Sequence, residues 1–287
     1  MSIDLDLTFI APSLKTVHMF PQELIDRFID EVAAEKPSYY LLPGVRRDLR
    51  SCSLAARCFR SRSQRHLLAH APLFIVRGEM QSKRIRKLRQ ILETSEAFRK
   101  CIIYFSIHLD ATDPDDGDIG WKLHDENLPS VINKLGEIRE LTCCGNPNAV
   151  EWDRLSEDIK TALRNTRFTS PHLSSLILSE ISISPYDLVD TWKSIKEIAL
   201  GSVEITMGDV ISKNAPMLEH QLEKVRLSGH EFSLPLSLQN SQTLGSLRYF
   251  TVHFFRVRPC NIRQTWNVIH IASKSLEILG LFRCFGA

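Results

Sequence analysis

Six stretches of this chain share one apolar pattern, and their recurrence limits the possible folds more than any other feature. IRELTC, LSSLIL, IKEIAL, LEKVRL, LGSLRY and SKSLEI read apolar-x-x-apolar-x-apolar, centred on Leu141, Leu176, Ile198, Val225, Leu247 and Leu276. The pattern fails only at the first place of the last stretch and is loosened by the small Cys143 in the first. Successive centres lie about 22 to 35 residues apart, the interval of stacked supersecondary units with insertions. A unit of that size cannot bury its own apolar face, so each needs a neighbour.

The connections between these stretches have room for helices. NAVEWDRLSEDIKTALRNTRF sets Trp152, Leu155, Ile159 and Leu163 three and four residues apart, and IRQTWNVIHIASKSL offers Trp266, Ile269 and Ile271. Upstream, KRIRKLRQILETSEAF carries Ile85, Leu88, Ile91 and Leu92 at helical spacing and leads into CIIYFSIHL, whose β-branched and aromatic content favours a strand. Strand and helix in alternation imply parallel pairing with right-handed crossovers. The expected class is α/β, a curved solenoid of leucine-rich-repeat type in which the repeated apolar residues are core.

The N-terminal third differs. In FPQELIDRFIDEV, Pro21 suits the first turn of a helix, and Leu24, Ile25, Phe28, Ile29 and Val32 recur on one face. KPSYYLLPG then punctuates the chain before VRRDLRSCSLAARCFRSRSQRHLLAH resumes a helical pattern, with Leu49, Cys52, Leu54 and Phe59 on its apolar face and Leu67 and Leu68 starting a further short helix. Three short helices bury little, so their apolar face needs a partner or the adjoining repeats.

Chemistry-bearing motifs are scarce. There is no Gly-x-Ser-x-Gly elbow, phosphate-binding glycine loop or His-Glu-x-x-His pair. Cys143 and Cys144 are adjacent and Cys52 and Cys58 six apart, neither being the Cys-x-x-Cys spacing that wraps zinc. The acidic run Asp110, Asp113, Asp115, Asp116 and Asp118 resembles a calcium loop only superficially, because a loop opening at Asp113 has His124 where a closing acid is needed. It reads as a solvated insertion, and His172 beside Pro171 as a turn residue. These features give no catalytic, cofactor or metal site, and the reading is of a protein that is not an enzyme.

Composition bounds the setting. In 287 residues the hydrophobic share is 43% and the charged share 24%, which suits a folded chain, and no apolar run reaches the roughly 18 residues of a membrane span. MSIDLDLTFIAPSLKTVHMF carries Asp4 and Asp6 where a secretory signal needs basic residues, and residues 1–18 read as a flexible leader. Seven cysteines, an odd number in a long chain, suit reduced thiols in cytoplasm or nucleus. The net charge of +2 hides fifteen Lys and Arg against four Asp and Glu between Arg46 and Lys100. Apolar residues interrupt those charges regularly, as on solvated amphipathic helices, so nucleic-acid binding is the lesser reading.

FPQELIDRFIDEV resembles the first helix of an F-box in its Phe20, Pro21 and Glu23, and DLRSCSLAARCFRSRSQRHL resembles the rest of that motif in its Asp48, Leu49, Ser53, Leu54 and Phe59. Followed by degenerate leucine-rich repeats, the chain is similar to fungal F-box proteins. The resemblance implies a helical F-box-like domain at 19–72 and a repeat solenoid at 73–287. It further implies a non-enzymatic subunit that docks on the Skp-type adaptor of a cullin-based ubiquitin ligase and holds a target protein on its repeats. The adaptor-facing residues expected are Phe20, Pro21, Leu24, Ile25, Leu49, Cys52 and Leu54. Two alternatives stay open: the helices cap the repeats, or the chain is a repeat-built protein-binding scaffold with no ligase role.

Overall fold

The computed structural model describes residues 21–34, 43–75, 79–109, 125–145, 150–184, 195–205, 222–229, 244–254 and 259–283. Phe20, the acidic run and His124 lie outside them. The chain separates into two compact units with the boundary between Leu67 and Leu68. That is slightly earlier than the break expected after residue 72, because the segment from His70 onward is a strand of the second unit.

The first unit holds helices α1 (Gln22–Ala34) and α2 (Pro43–Ala55) and nearly all of α3 (Arg57–Ala69). Pro43 opens α2, where a missing N–H costs nothing. Between α2 and α3 the chain leaves helix at Ala56 alone, and Leu67 and Leu68 lie near the end of α3 rather than beginning another helix. Ile29, Val45 and Leu49 form a small core against which Val32, Ala33, Cys52, Phe59 and Leu67 pack. A polar clamp supplements it. Arg62 donates to both carboxylate oxygens of Asp30 at 2.7 and 2.6 Å, and His66 Nε2 lies 2.7 Å from the same group. Gln22 donates to the Cys58 carbonyl at 3.0 Å.

The second unit is mixed α/β. Its strands are β1 (His70–Ile75), β2 (Tyr104–Leu109), β3 (Glu140–Cys144), β4 (Val150–Glu151), β5 (Ser175–Ser179), β6 (Ile181–Ile183), β7 (Glu197–Gly201), β8 (Glu204–Ile205), β9 (Lys224–Gly229), β10 (Tyr249–Phe254) and β11 (Ile278–Arg283). Eight form one sheet in the order β1-β2-β3-β5-β7-β9-β10-β11, every pairing parallel, and β4-β6-β8 form a second, also parallel. The helices are α4 (Glu79–Thr94), α5 (Glu96–Cys101), α6 (Leu128–Asn133), α7 (Glu157–Thr169) and α8 (Pro259–Ala272).

Two backbone ladders link successive repeats, the second at three of them. Before six strands of the large sheet one carbonyl accepts from two successive N–H groups of the next repeat: Ile103 from Arg139 and Glu140, Arg139 from Ser174 and Ser175, Ser174 from Lys196 and Glu197, Lys196 from Glu223 and Lys224, Glu223 from Arg248 and Tyr249, and Arg248 from Glu277 and Ile278. Where the chain turns from one sheet to the other, the Gly145, Glu180 and Ser202 N–H groups each donate at 2.7 Å to the next repeat, at Ser179, Gly201 and Ser228. Glu180 and Ser202 turn with φ of 55° and 49°, the left-handed conformation that lets the chain turn from one sheet to the other within one or two residues.

The register corrects the phase of the last two repeats. Phe250 pairs with Val225 and Leu279 with Phe250, so the central residues are Phe250 and Leu279 rather than Leu247 and Leu276. The matching stretches are LRYFTV and LEILGL. Leu244 and Leu247 are both fully buried before the strand, so the approach to β10 satisfied the same pattern three residues early. Phe105 pairs with Leu141, which makes CIIYFSIHL a further repeat.

Helix limits differ too. Ser156 caps α7 by accepting from the Ile159 N–H, so Trp152 falls in a separate 3-10 turn, although Trp152, Leu155, Ile159 and Leu163 are all buried. Ser95 likewise caps α5 and divides the helix expected over KRIRKLRQILETSEAF. In α8 the buried stripe is Thr265, Val268 and Ala272, and Trp266 is 64% exposed.

Candidate interaction surfaces

In the first unit, the seven residues expected at a docking face divide. Ile25 and Leu49 are buried at 7% and 0%, inside the unit rather than open, and Cys52 is half-buried against the core. Phe20 lies outside the described residues. Pro21, Leu24 and Leu54 are exposed, Leu24 at 54% and Leu54 at 79%. Phe28, one turn beyond Leu24, is 56% exposed and was missing from the expected set. Its signal was present in the sequence, since positions four apart share a helix face. The unit is too small to cover both faces of α1: Ile25 and Ile29 take the interior, which leaves Leu24 and Phe28 on the surface.

On another side of α1 the Asp30 charge is held in place by α3. The Arg62 hydrogen bond draws the Asp30 carboxyl down from 3.8 to about 2, burial opposing and His66 assisting. Asp30 is ionised wherever the protein is studied near neutrality, and α1 stays tied to α3.

In the second unit, one face of the large sheet is core and the other is a polar surface. Across the strands the first outer row runs His70, Tyr104, Glu140, Ser175, Glu197, Lys224, Tyr249 and Ile278. His70 stacks on Tyr104 with ring centroids 4.4 Å apart. Lys224 reaches Glu197 at 3.2 Å, and just before the strands Lys196 meets Glu223 at 2.8 Å and Arg248 meets Glu277 at 2.7 and 3.0 Å. Glu140 sits deeper. Burial and the Glu197 charge raise its carboxyl from 4.5 to about 7, against the pull of Lys224 and a hydrogen bond with Ser175.

Further along the strands the next outer row runs Thr142, Ile177, Ala199, Arg226 and Thr251, with Ile177 buried, and the row after it includes Ser228 and His253; Arg226 and His253 are half-buried. Burial lowers both: the Arg226 guanidinium by desolvation alone, and the His253 imidazole by desolvation and the Arg226 charge. His253 stacks on Phe282 at 4.8 Å. Of the outward aromatics considered from sequence, Tyr249 is on this face, Phe254 packs against the core, and Phe255 and Arg256 lie outside the described residues.

Cys143 is buried and its thiol is pushed well up, which suppresses the thiolate. His172 sits in a turn, 3.9 Å from Glu137. Among the described residues no group of three His, Cys, Asp or Glu could hold a metal ion, and no helix is long and apolar enough to cross a membrane. No family model and no curated protein matches the chain.

Proposed function

We propose that this chain is a non-enzymatic substrate-recognition subunit of a Skp-cullin-F-box ubiquitin ligase, acting in cytoplasm or nucleus. The first unit, read as F-box-like, docks on the Skp-type adaptor. The second, read as a leucine-rich-repeat-like solenoid, holds the target on its outer sheet face. The observation that carries the reading is the pair Leu24 and Phe28, both more than half exposed on α1 of a helical unit with a core of its own. Two large apolar side chains one turn apart make a ridge that a groove on a partner would cover. Covering both side chains is worth about 2–3 kcal/mol, given that roughly half of each is already buried. Ubiquitin transfer is left to other subunits, and the gain in rate comes from holding the target near them.

The test is co-purification with a Skp-type adaptor. The parent is expected to retain the adaptor, and a Leu24→Ala, Phe28→Ala variant to lose it by at least tenfold in affinity with unchanged helix content. Equal retention by both proteins would refute the docking role and leave a protein-binding repeat scaffold without a ligase role.

A further inference from the structure

α2 and α3 together carry seven arginines, no lysine and a single acid, Asp48. Arg62 is held within the unit by Asp30, and Arg47 lies 3.6 Å from Asp48. Arg47 and Arg50 are exposed on α2, and Arg57, Arg60 and Arg65 on α3. Among the described residues no ion pair holds Arg50, Arg57, Arg60 or Arg65. The apolar residues that interrupt these charges in sequence turn inward and do not dilute them: Val45, Leu49 and Cys52 of α2 and Phe59 and Leu67 of α3 all belong to the small core. The two basic faces adjoin, because only Ala56 separates the helices and Arg60 donates to the Ser53 carbonyl at 3.5 Å. We propose that this face binds double-helical DNA, with α3 lying in the major groove and α2 against the flanking phosphates.

The arrangement of α3 selects that occupant. With about 3.6 residues per turn, Arg60 and Arg65 stand roughly 140° apart around the axis, and Arg57, Ser61 and Gln64 fall between them. All five are exposed, and half-buried Phe59 and His66 lie on the opposite side. A helix with its side chains is about 10–12 Å across and the major groove of B-DNA about 12 Å wide, so a helix seated there sets Arg60 and Arg65 against the phosphates of the two walls. Arg57, Ser61 and Gln64 then face the floor of the groove, and Arg47 and Arg50 reach phosphates beside it.

Other polyanions fit less well. A guanidinium donates through a planar fork that matches a phosphate, which gives a reason for arginine at every basic position of the two helices. Neither helix exposes an aromatic ring on which an unpaired base could stack, so a single strand gains nothing beyond charge. The deep, narrow major groove of duplex RNA shuts a helix out. An acidic polypeptide would meet the same charge without needing cations on two edges of one helix.

Fluorescence anisotropy of the whole chain with a labelled DNA duplex tests the proposal. With about five phosphates contacted, micromolar affinity is expected at about 50 mM salt, weakening about twentyfold when the salt is doubled. A variant carrying Arg57→Gln, Arg60→Gln and Arg65→Gln, with helix content unchanged, is expected to bind at least tenfold more weakly. Its slope of log affinity against log salt should fall in size from about 4.5 to about 2. Arg84→Gln, Arg86→Gln and Lys87→Gln together, on the exposed side of α4, are expected to leave both values within about twofold of the parent's. No binding at about 25 mM salt, an equal loss in the α4 variant, or an unchanged slope in the α3 variant would overturn the proposal. Duplex RNA bound as tightly as DNA, or polyglutamate displacing the labelled duplex as well as unlabelled duplex does, would overturn it too.

Discussion

Replacing Glu140 by Gln should stabilise the repeat unit above neutral pH and leave it almost unchanged near pH 4. Glu140 lies between strands on the outer sheet face, beside Ser175 and two strands from Glu197. Burial first, and then the Glu197 charge, raise its carboxyl from 4.5 to about 7. A raised acid binds its proton more tightly in the folded state, so between pH 4.5 and 7 the folded protein holds more protons than the unfolded chain. Stability then falls as pH rises through that window, and the whole loss is in place above about pH 8. The rise corresponds to roughly 3 kcal/mol. Glu140 keeps some solvent contact and Lys224 moderates the repulsion, so about 2–3 kcal/mol is expected. Glutamine has the shape of the neutral acid and can keep the Ser175 hydrogen bond. For a unit of this size the gain is about 5–10 °C in melting temperature at pH 8.5. Scanning calorimetry of parent and variant from pH 4 to 8.5 measures it. If both lose equal stability across that range, Glu140 is ionised throughout and the account of the sheet face fails. Glu197→Gln should give part of the same gain, by removing the second charge.

Asp30→Asn should loosen the first unit at pH 7. The fall of its carboxyl from 3.8 to about 2 is discounted for a side chain 39% exposed, giving about 1 kcal/mol, seen as a roughly fivefold loss of amide-exchange protection in α1 and α3. The sign is opposite to that of Glu140: the contribution is complete above pH 3.8 and disappears as pH falls through 2. Gly229→Ala should cost about 2–3 kcal/mol in urea unfolding, because φ is +138° and a Cβ would stand 2.8 Å from the Ser202 backbone nitrogen. In α8, Val268→Ala should cost about 1–3 kcal/mol and Trp266→Ala under about 1, since Val268 is fully buried and Trp266 64% exposed. Equal losses would mean that the helix face is misassigned.

The sheet was legible because each repeat states the same requirement. Ile138, Leu141 and Cys143 recur in form as Leu173, Leu176 and Leu178 and again as Ile195, Ile198 and Leu200, all buried. Phase was harder at the C-terminal repeats. Leu244 and Leu247 are buried in the approach to β10, and a pattern of three apolar places cannot tell an approach from a strand. Helix ends escaped because Ser95 and Ser156 act through one hydrogen bond each, inside stretches whose apolar spacing runs on. Trp266 misled for a different reason: a large apolar residue invites burial, yet Thr265 and Val268 already fill the inward side of α8. On the first unit, the apolar face of α1 was legible as a whole. Its division between Ile25 and Ile29 inside and Leu24 and Phe28 outside depends on where α2 and α3 pack, which no local pattern encodes. The polar sheet face was hidden in the variable places of the repeat, where Glu140, Lys224 and Arg226 have no spacing of their own.

Those variable places also explain how eight similar strands find their order. The apolar rows are nearly interchangeable: Leu141, Leu176, Ile198 and Val225 would pack on one another in several sequences of strands. Just before and at the start of the strands, however, charge alternates between neighbours, with Lys196 against Glu223, Lys224 against Glu197, and Arg248 against Glu277. Each pair is exposed and worth under about 1 kcal/mol, so together they contribute little to stability. Their effect lies in the alternatives they penalise. Setting β7 directly against β3 would put Glu197 beside Glu140, and the Glu197 charge already adds, after burial, to the rise of the Glu140 carboxyl with β5 between them. Charge here selects among arrangements that the apolar core would accept, and exchanging Lys224 with Glu197 should slow refolding of the repeat unit more than it lowers its stability.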